Sequence, residues 1–245
     1  YKNNNYSQSN LNRNRFEIEI DCIIFLTTQC GKNFKSLSSA AKKNLLAIKN
    51  NFDETSAKRI KVIESQTNHD VKAVEYFIRE EMIKFSNLKK YQHLVHFALT
   101  SEDINSLSYA VLLRDAKDIY LRKLNVLIKD LNSKSKSWAS LPLLARTHGQ
   151  AASPSTLGKE IKVFQQRLIR QKDILKKMKP LAKFGGATGN FHTLDLSDEN
   201  INWVSKTNKF LSSFRVDQNP ITTQIEPHDG LSLIHISEPT RQQGI

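Results

Sequence analysis

Glycine, proline and long apolar runs are all scarce in this sequence. Its 245 residues include 8 Gly and 6 Pro, few for an all-β protein, whose many tight turns are usually built with these two residues. The longest strongly apolar run is residues 22–26, far short of the roughly 20 residues that a membrane-spanning helix needs. No positively charged start followed by an apolar stretch and a cleavage site is seen. We therefore expect a soluble cytoplasmic protein that does not associate with membranes.

Cysteine is scarce as well, and Cys22 and Cys30 are the two present. On one helix they would lie about 12 Å apart, which is too far for a disulfide. No set of His and Cys residues has the spacing of metal ligands. We expect both cysteines to be buried thiols in a reducing compartment, and we expect no metal site.

Acidic residues are outnumbered by basic ones, and the net charge is +13. Such a charge attracts polyanions, so a basic helical module that binds RNA is one candidate function. The lysines are scattered along the chain, however, and aromatic residues do not alternate with them. This distribution favours a general compositional bias over a nucleic-acid surface, and we expect no nucleic-acid partner.

Apolar residues recur at helical spacing through most of the chain. We expect helices at about 16–28, 38–49, 53–66, 69–82, 100–136, 154–178 and 200–214. Residues 1–14 are polar and are expected to form a poorly ordered arm, 141–153 a connection, and 185–189 a turn between helices. The sequence predicts an all-α fold with a small N-terminal helical domain, residues 1–90. Residues 91–229 are expected to supply the first long helices of a central bundle.

Polar residues are concentrated in four clusters at the predicted turns and helix ends. The clusters are residues 68–70 (Asn-His-Asp), 100–103 (Thr-Ser-Glu-Asp), 146–150 (Arg-Thr-His-Gly-Gln) and 222–229 (Thr-Thr-Gln-Ile-Glu-Pro-His-Asp). Each cluster alone has a structural explanation, since Asn68 or Thr100 can cap a helix and His148 can be a loop histidine. Together, the clusters contain the hydroxyls, amides and histidines that build a polar site in a helical bundle.

These clusters resemble segments of the adenylosuccinate lyases, within the aspartase/fumarase superfamily. The resemblance is carried by Thr-Asn-His-Asp-Val-Lys-Ala-Val-Glu-Tyr from residue 67, Phe-Ala-x-Thr-Ser-Glu-Asp-Ile-Asn from residue 97, and Thr-Gln-Ile-Glu-Pro-His-Asp from residue 223. It extends from about Arg15 to Asp229 in the order and spacing of that family. Other fumarate-releasing lyases of the superfamily have different versions of these segments, and such a lyase remains the alternative.

The resemblance implies a β-elimination that releases fumarate from adenylosuccinate, giving AMP, and from succinyl-aminoimidazole-carboxamide ribotide. It implies no cofactor, and a homotetramer whose active sites combine residues of several subunits. His148 matches the family's general acid, which protonates the leaving nitrogen. The positions that match substrate-binding residues are Asn68, His69, Asp70, Thr100, Ser101 and Gln224.

The sequence also departs from the family pattern. The family's catalytic base is a serine in a Gly-Ser-Ser-x-Met-Pro-x-Lys-x-Asn loop, and its Arg-Tyr nucleotide-binding pair lies near the N-terminus. Neither motif is present here. Residues 230–245 resemble a translated sequencing adapter and are expected to be a non-native tail. We therefore expect a chain truncated at both ends, inactive alone, with apolar seams left exposed.

Overall fold

A computed structural model describes residues 7–30 and 33–228 of this protein, and helices dominate it, as predicted. The predicted tail at 230–245 lies outside these residues. Within them, no helix is long and apolar enough to cross a membrane. The helices are α1 Gln8–Gln29, α2 Ser39–Asn50, α3 Glu54–Thr67, α4 Asp70–Ile83, α5 Ser101–Ser137, α6 Leu157–Lys177, α7 His192–Ser197 and α8 Trp203–Ser213, with a 3-10 helix at Lys89–Leu94.

Four short strands accompany the helices. The strands β1 (Pro142–Thr147) and β2 (Gln150–Thr156) form an antiparallel hairpin, whereas β3 (Leu181–Ala182) and β4 (Asp217–Gln218) pair in parallel. The chain divides into two compact units. Unit 1 holds the residues up to Arg114 and those from Lys179 onward, and unit 2 holds Asp115–Met178. The domain boundary expected near Lys90 remains a prediction.

Helix α1 begins earlier than the sequence suggested, and the expectation of a poorly ordered arm is wrong for residues 8–14. The Ser7 side chain caps this helix by accepting a hydrogen bond from the backbone N–H of Asn10. Asn12 and Arg15, two of its polar residues, are 1% and 2% exposed. Their side chains are hydrogen-bonded to each other, with 3.3 Å between Arg15 Nη1 and Asn12 Oδ1. Because these residues are polar, the sequence did not predict a helix here, although their side chains lie buried in the protein and bonded to each other.

The core of unit 1 is built around aromatic rings from distant parts of the chain. Phe16 of α1 packs against Phe52 and Phe77, with ring centroids 4.9 and 5.5 Å away. Phe210 of α8 packs in the same way between Phe25 and Phe184, at 4.9 and 5.0 Å. These rings anchor α1, α4 and α8 to one another and so fix where the polar ends of the helices lie.

Both cysteines lie in this core as free, buried thiols, as predicted. Burial raises the pKa of Cys30 to about 12, partly offset by the charge of Lys206. Burial also raises the pKa of Cys22, with a further contribution from Glu19. Both thiols are therefore held in the protonated form, which is unreactive towards oxidants and electrophiles.

Unit 2 contains a β-hairpin where the sequence suggested a connection followed by a helix start at Ser153 and Pro154. That expectation is wrong, because Pro154 pairs with Leu144 inside the hairpin. Helix α6 begins only at Leu157, after Thr156 Oγ1 accepts a hydrogen bond from the backbone N–H of Lys159. A proline can stand in an isolated two-stranded ribbon, where one edge of each strand is unpaired.

Apolar side chains on unit 2 are largely uncovered. Leu124, Ile128 and Leu175 are buried, but Val126 is 69% exposed and Phe164 is 54% exposed. These exposed residues confirm the expectation of apolar seams that the chain does not cover by itself.

Candidate active site

Helix α5 begins at Ser101, where the sequence placed a helix start. The backbone N–H of Thr100 donates to Asp103 Oδ2 at 2.8 Å, and the N–H of Asp103 donates to the Thr100 carbonyl at 2.9 Å. This reciprocal pair satisfies groups that would otherwise be unpaired at a helix N-terminus. Thr100 and Ser101 are half-buried, so that a small molecule can reach their side chains.

The Asp103 carboxylate is fully buried and accepts three more hydrogen bonds besides that of Thr100. Oδ1 accepts from Lys183 Nζ at 2.8 Å and from the N–H of Gly185 at 3.0 Å. Oδ2 accepts from the N–H of Gly186 at 3.1 Å. Because the side chains of Asp103 and Lys183 are both 0% exposed, they form a buried ion pair that bonds the start of α5 to the segment that follows β3.

Residues 185–189 were predicted to form a turn, and the backbone of this segment requires glycine at two positions. Gly186 and Gly189 have φ of 77°, a conformation that side chains disfavour. A Cβ on Gly189 would lie 2.4 Å from the Thr222 carbonyl oxygen and 2.7 Å from that of Thr223. The segment that carries the exposed Gln224 is therefore packed directly against this turn.

That segment also contacts the first turn of α5 through charged groups. His228 Nε2 lies 3.2 Å from Glu102 Oε1, and His228 Nδ1 lies 3.3 Å from Glu226 Oε2. Glu102 Oε1 is buried and has no hydrogen bond of acceptable geometry among the described residues, so its attraction to His228 is electrostatic. Burial raises the pKa of Glu102, although the charge of His228 opposes this.

The cluster at residues 68–70 reaches the same helix start through Arg15. Arg15 Nη2 donates to Asp70 Oδ2 at 2.6 Å, and Arg15 Nε donates to Asn105 Oδ1 at 2.9 Å. Burial acts to raise the pKa of Asp70, but the charge of Arg15 and the N–H of Val71 outweigh it and leave the pKa lowered. Asp70 therefore stays ionised and paired, and Arg15 bonds the turn before α4 to the first turn of α5.

Asn68 and His69 occupy the tight turn between α3 and α4. Asn68 ends α3 in the left-handed region, with φ of 51°, and His69 caps α4 by accepting from the N–H of Lys72 at 3.2 Å. This hydrogen bond occupies Nδ1, so in the neutral ring Nε2 carries the proton and can donate it to an anionic oxygen. An open groove of about 620 Å³ lies beside these residues and is lined by Gln8, Glu64, Ser65, Asn68, His69 and Asp70.

The candidate acid, His148, belongs to unit 2 and lies at the tip of the hairpin. His148 has φ of 50° and Gly149 has φ of 76°, the combination found in a type I′ turn. The turn leaves the His148 side chain exposed. Of the predicted site residues, Asn68, His69, Asp70, Thr100, Ser101 and Gln224 thus belong to unit 1, and His148 belongs to unit 2.

Sequence reasoning missed Arg15 and Lys183, which bond these clusters together. Each is a charged residue beside buried apolar residues, since Arg15 precedes Phe16 and Lys183 precedes Phe184. Lys183 is a lone charge between Ala182 and Phe184, and such a charge within an apolar stretch indicates a buried partner, whereas Arg15 lies in a polar stretch that carries no such signal.

A sequence profile described as lyase matches residues 5–237. The chain belongs to this lyase family. It is 45% identical over 193 residues to the adenylosuccinate lyase of Haemophilus influenzae, covering 78% of this chain and 42% of that protein. It is 40% identical over 229 residues to the adenylosuccinate lyase of Escherichia coli K12, covering 91% and 50%. The predicted resemblance to adenylosuccinate lyases is confirmed, and the chain spans about half the length of these relatives.

Solved structures of more distant proteins share the fold of this chain. A fumarate lyase from Mesorhizobium sp. BNC1 superposes with a TM-score of 0.74 at 16% identity, covering 95% of this chain and 52% of that one. The 3-carboxy-cis,cis-muconate lactonizing enzyme from Pseudomonas putida gives 0.73 at 18% identity, covering 94% and 51%. At this identity the likeness confirms the helical architecture and says nothing about the reaction.

A buried cluster of charges supports the segment that leads into Thr100 in this chain. His96, with φ of 61°, places Nδ1 2.6 Å from Glu19 Oε1 and donates its backbone N–H to Glu19 Oε2 at 3.1 Å. Its Nε2 lies 3.7 Å from Glu75 Oε1, and Lys72 Nζ lies 2.8 Å from Glu75 Oε2. Burial acts to lower the pKa of His96, but the hydrogen bond and charge of Glu19, aided by Glu75, outweigh it and leave the pKa raised.

We expect His96 to make the stability of the protein depend on pH. Because its folded-state pKa is raised, its contribution is complete below the unfolded pKa of about 6.5 and is lost as pH rises through the folded pKa. The difference in free energy of unfolding between the wild type and His96→Gln should therefore shrink between pH 6 and pH 9. Each unit by which the folded pKa exceeds the unfolded one contributes about 1.4 kcal/mol.

The measurement is urea unfolding at several pH values. His93→Gln is the matched control, since His93 is exposed on the neighbouring 3-10 helix, and it should retain the pH dependence of the wild type. A constant difference between the wild type and His96→Gln across this range would show that His96 gains no affinity for its proton on folding.

Proposed function

We propose that this chain is part of an adenylosuccinate lyase. The reaction is a β-elimination of fumarate from adenylosuccinate, giving AMP, and from succinyl-aminoimidazole-carboxamide ribotide, giving the corresponding carboxamide. The observation that supports it most directly is the 38–45% identity to relatives of that name, of which the Haemophilus influenzae and Buchnera aphidicola enzymes are two. The three clusters that meet at the start of α5 belong to the segments that carry the resemblance.

The reaction needs a base to take a proton from the carbon beside a carboxylate and an acid to protonate the departing nitrogen. His148 supplies the acid, because it matches the family's general acid in position and its imidazole is exposed at a hairpin tip, where it can donate a proton to a substrate. The base is not assigned to any residue of this chain. The elimination moves only protons and an electron pair, so this scheme needs no oxidant or reductant.

Thr100 and Ser101 bind an anionic group of the substrate. They stand at the N-terminus of a 37-residue helix, whose backbone N–H groups and dipole favour negative charge. His69 adds a hydrogen-bond donor through Nε2, and Asn68 and Asp70 shape the turn that presents it. Gln224 offers an amide from the segment packed on the glycine turn.

We also propose that the complete protein is a cytoplasmic homotetramer. The exposed apolar side chains of unit 2, such as Val126 at 69% and Phe164 at 54%, support an assembly, since such residues are usually covered in a stable protein. The part of the relatives that this chain does not match, about half of each, is a second candidate for covering these apolar side chains.

The test is fumarate release by the full-length gene product. Adenylosuccinate, argininosuccinate and malate are supplied separately at equal concentration, and the absorbance of fumarate or the loss of substrate is followed. We expect turnover of adenylosuccinate at least about 100-fold above the other two, because a site that hydrogen-bonds a nucleotide leaves polar groups unpaired without one. Preference for another substrate would assign the protein to a different lyase of the superfamily. RNA binding without turnover would favour the basic-module alternative.

Replacement of His148 by Ala tests the acid. In the full-length gene product we expect turnover to fall by roughly 10²- to 10⁴-fold, the usual contribution of a positioned general acid. Protein stability should hardly change, because the side chain is exposed. His93→Ala makes the same substitution at another exposed histidine and should retain full activity. Near-normal turnover in His148→Ala would remove His148 from the mechanism.

A further inference from the structure

We propose that Lys183 is a positioning residue, whose buried ammonium group holds Thr100 and Ser101 in the geometry that binds substrate. The inference rests on the proposed function, because it takes Thr100 and Ser101 as substrate contacts. Lys183 itself does not touch the substrate, since its side chain is 0% exposed. Its effect passes through Asp103.

The environment of Lys183 is fixed from several directions. Its ammonium group donates to Asp103 Oδ1 and to the Gly186 carbonyl, both at 2.8 Å. Its backbone N–H donates to Ser106 Oγ at 3.3 Å, and the Ser106 hydroxyl lies 3.4 Å from the Lys183 carbonyl. The lysine is therefore joined both to the first turns of α5 and to the glycine turn, with little freedom to move.

The ammonium group neutralises the Asp103 carboxylate and fixes its orientation in a fully buried position. Without that charge, a carboxylate at 0% exposure has no counter-ion in the described residues and is expected to rotate away from its present position. A rotated Asp103 cannot accept from the three backbone N–H groups at once. The N–H of Thr100 is one of those donors, at 2.8 Å, so the substrate-binding turn loses its anchor.

The same ammonium group also influences the segment of Gln224. It holds the Gly186 carbonyl, and the Gly189 end of that turn packs against Thr222 and Thr223. A shift of the glycine turn is therefore transmitted to the loop that presents Gln224. One buried cation thus links the turn of Thr100 and Ser101 to the loop that presents Gln224.

The test separates positioning from stability with a pair of variants in the full-length gene product. Lys183→Met alone leaves a buried carboxylate unpaired and is expected to destabilise the protein strongly. The double variant Lys183→Met, Asp103→Asn removes both charges and should fold, with a melting temperature closer to that of the wild type. Lys49→Met is the matched control, because Lys49 forms a half-buried ion pair with Asp21 at 2.6 Å within the same unit.

We expect the double variant to raise KM for the cleaved substrate by about tenfold or more, whereas kcat at saturating substrate falls less, because binding contacts are lost and the acid is untouched. Lys49→Met should lower the melting temperature without changing KM. A folded double variant with the KM and kcat of the wild type would overturn the inference. So would a rise in KM for Lys49→Met equal to that of the double variant, since any loss of stability would then produce the effect.

If the double variant does not fold, Ser106→Ala decides the question. It removes one buried hydroxyl that anchors Lys183, and a few-fold rise in KM with a small change in melting temperature is expected. An unchanged KM in Ser106→Ala would then overturn the inference. A wild type that cleaves argininosuccinate or malate and not adenylosuccinate would refute the proposed function alone, and the same variants would be compared with the substrate it cleaves.

Discussion

The carboxylate of Asp103 accepts four hydrogen bonds from two distant segments of the chain, and the polar site of unit 1 depends on it. One donor is the backbone N–H of Thr100, two are the N–H groups of Gly185 and Gly186, and the fourth is the ammonium group of Lys183. A buried carboxylate with all its acceptor positions filled is stable only in one arrangement of its donors. The substrate-binding turn, the glycine turn and the loop of Gln224 therefore take fixed positions relative to one another.

Buried charged side chains link separate segments at several places in unit 1. Arg15 bonds Asp70 to Asn105, Lys183 bonds Asp103 to the glycine turn, and Glu19 holds His96. Each pair holds at least one charged side chain out of water, at a desolvation cost that its attraction and hydrogen bonds only approximately offset, so such pairs are weak sources of stability. Their consequence is geometric, because each joins helix ends that apolar packing alone would leave free to slide.

Local signals in the sequence predicted local structure well. The helices expected at about 53–66 and 100–136 begin within one residue of these positions, because capping depends on residues within one helical turn. The partners of Lys183 and Arg15 could not be predicted in this way, since Asp103 lies 80 residues from Lys183 and Asn105 lies 90 from Arg15. The hairpin around His148 was missed because Ser153 and Pro154 also have the order of a helix start, and strand pairing with Leu144 prevailed.

Hydrogen–deuterium exchange of backbone amides tests the central role of Asp103 most directly. In the full-length gene product, the amides of Thr100, Gly185 and Gly186 should exchange as slowly as core amides of α4 such as Ile78, because all three donate to one buried carboxylate. Turn and loop amides of this kind ordinarily exchange quickly, so slow exchange would be explained by their hydrogen bonds to the Asp103 carboxylate. Exchange of these three amides as fast as that of the exposed Asn200 would contradict the account, since the helix start and the glycine turn would then open independently of the core.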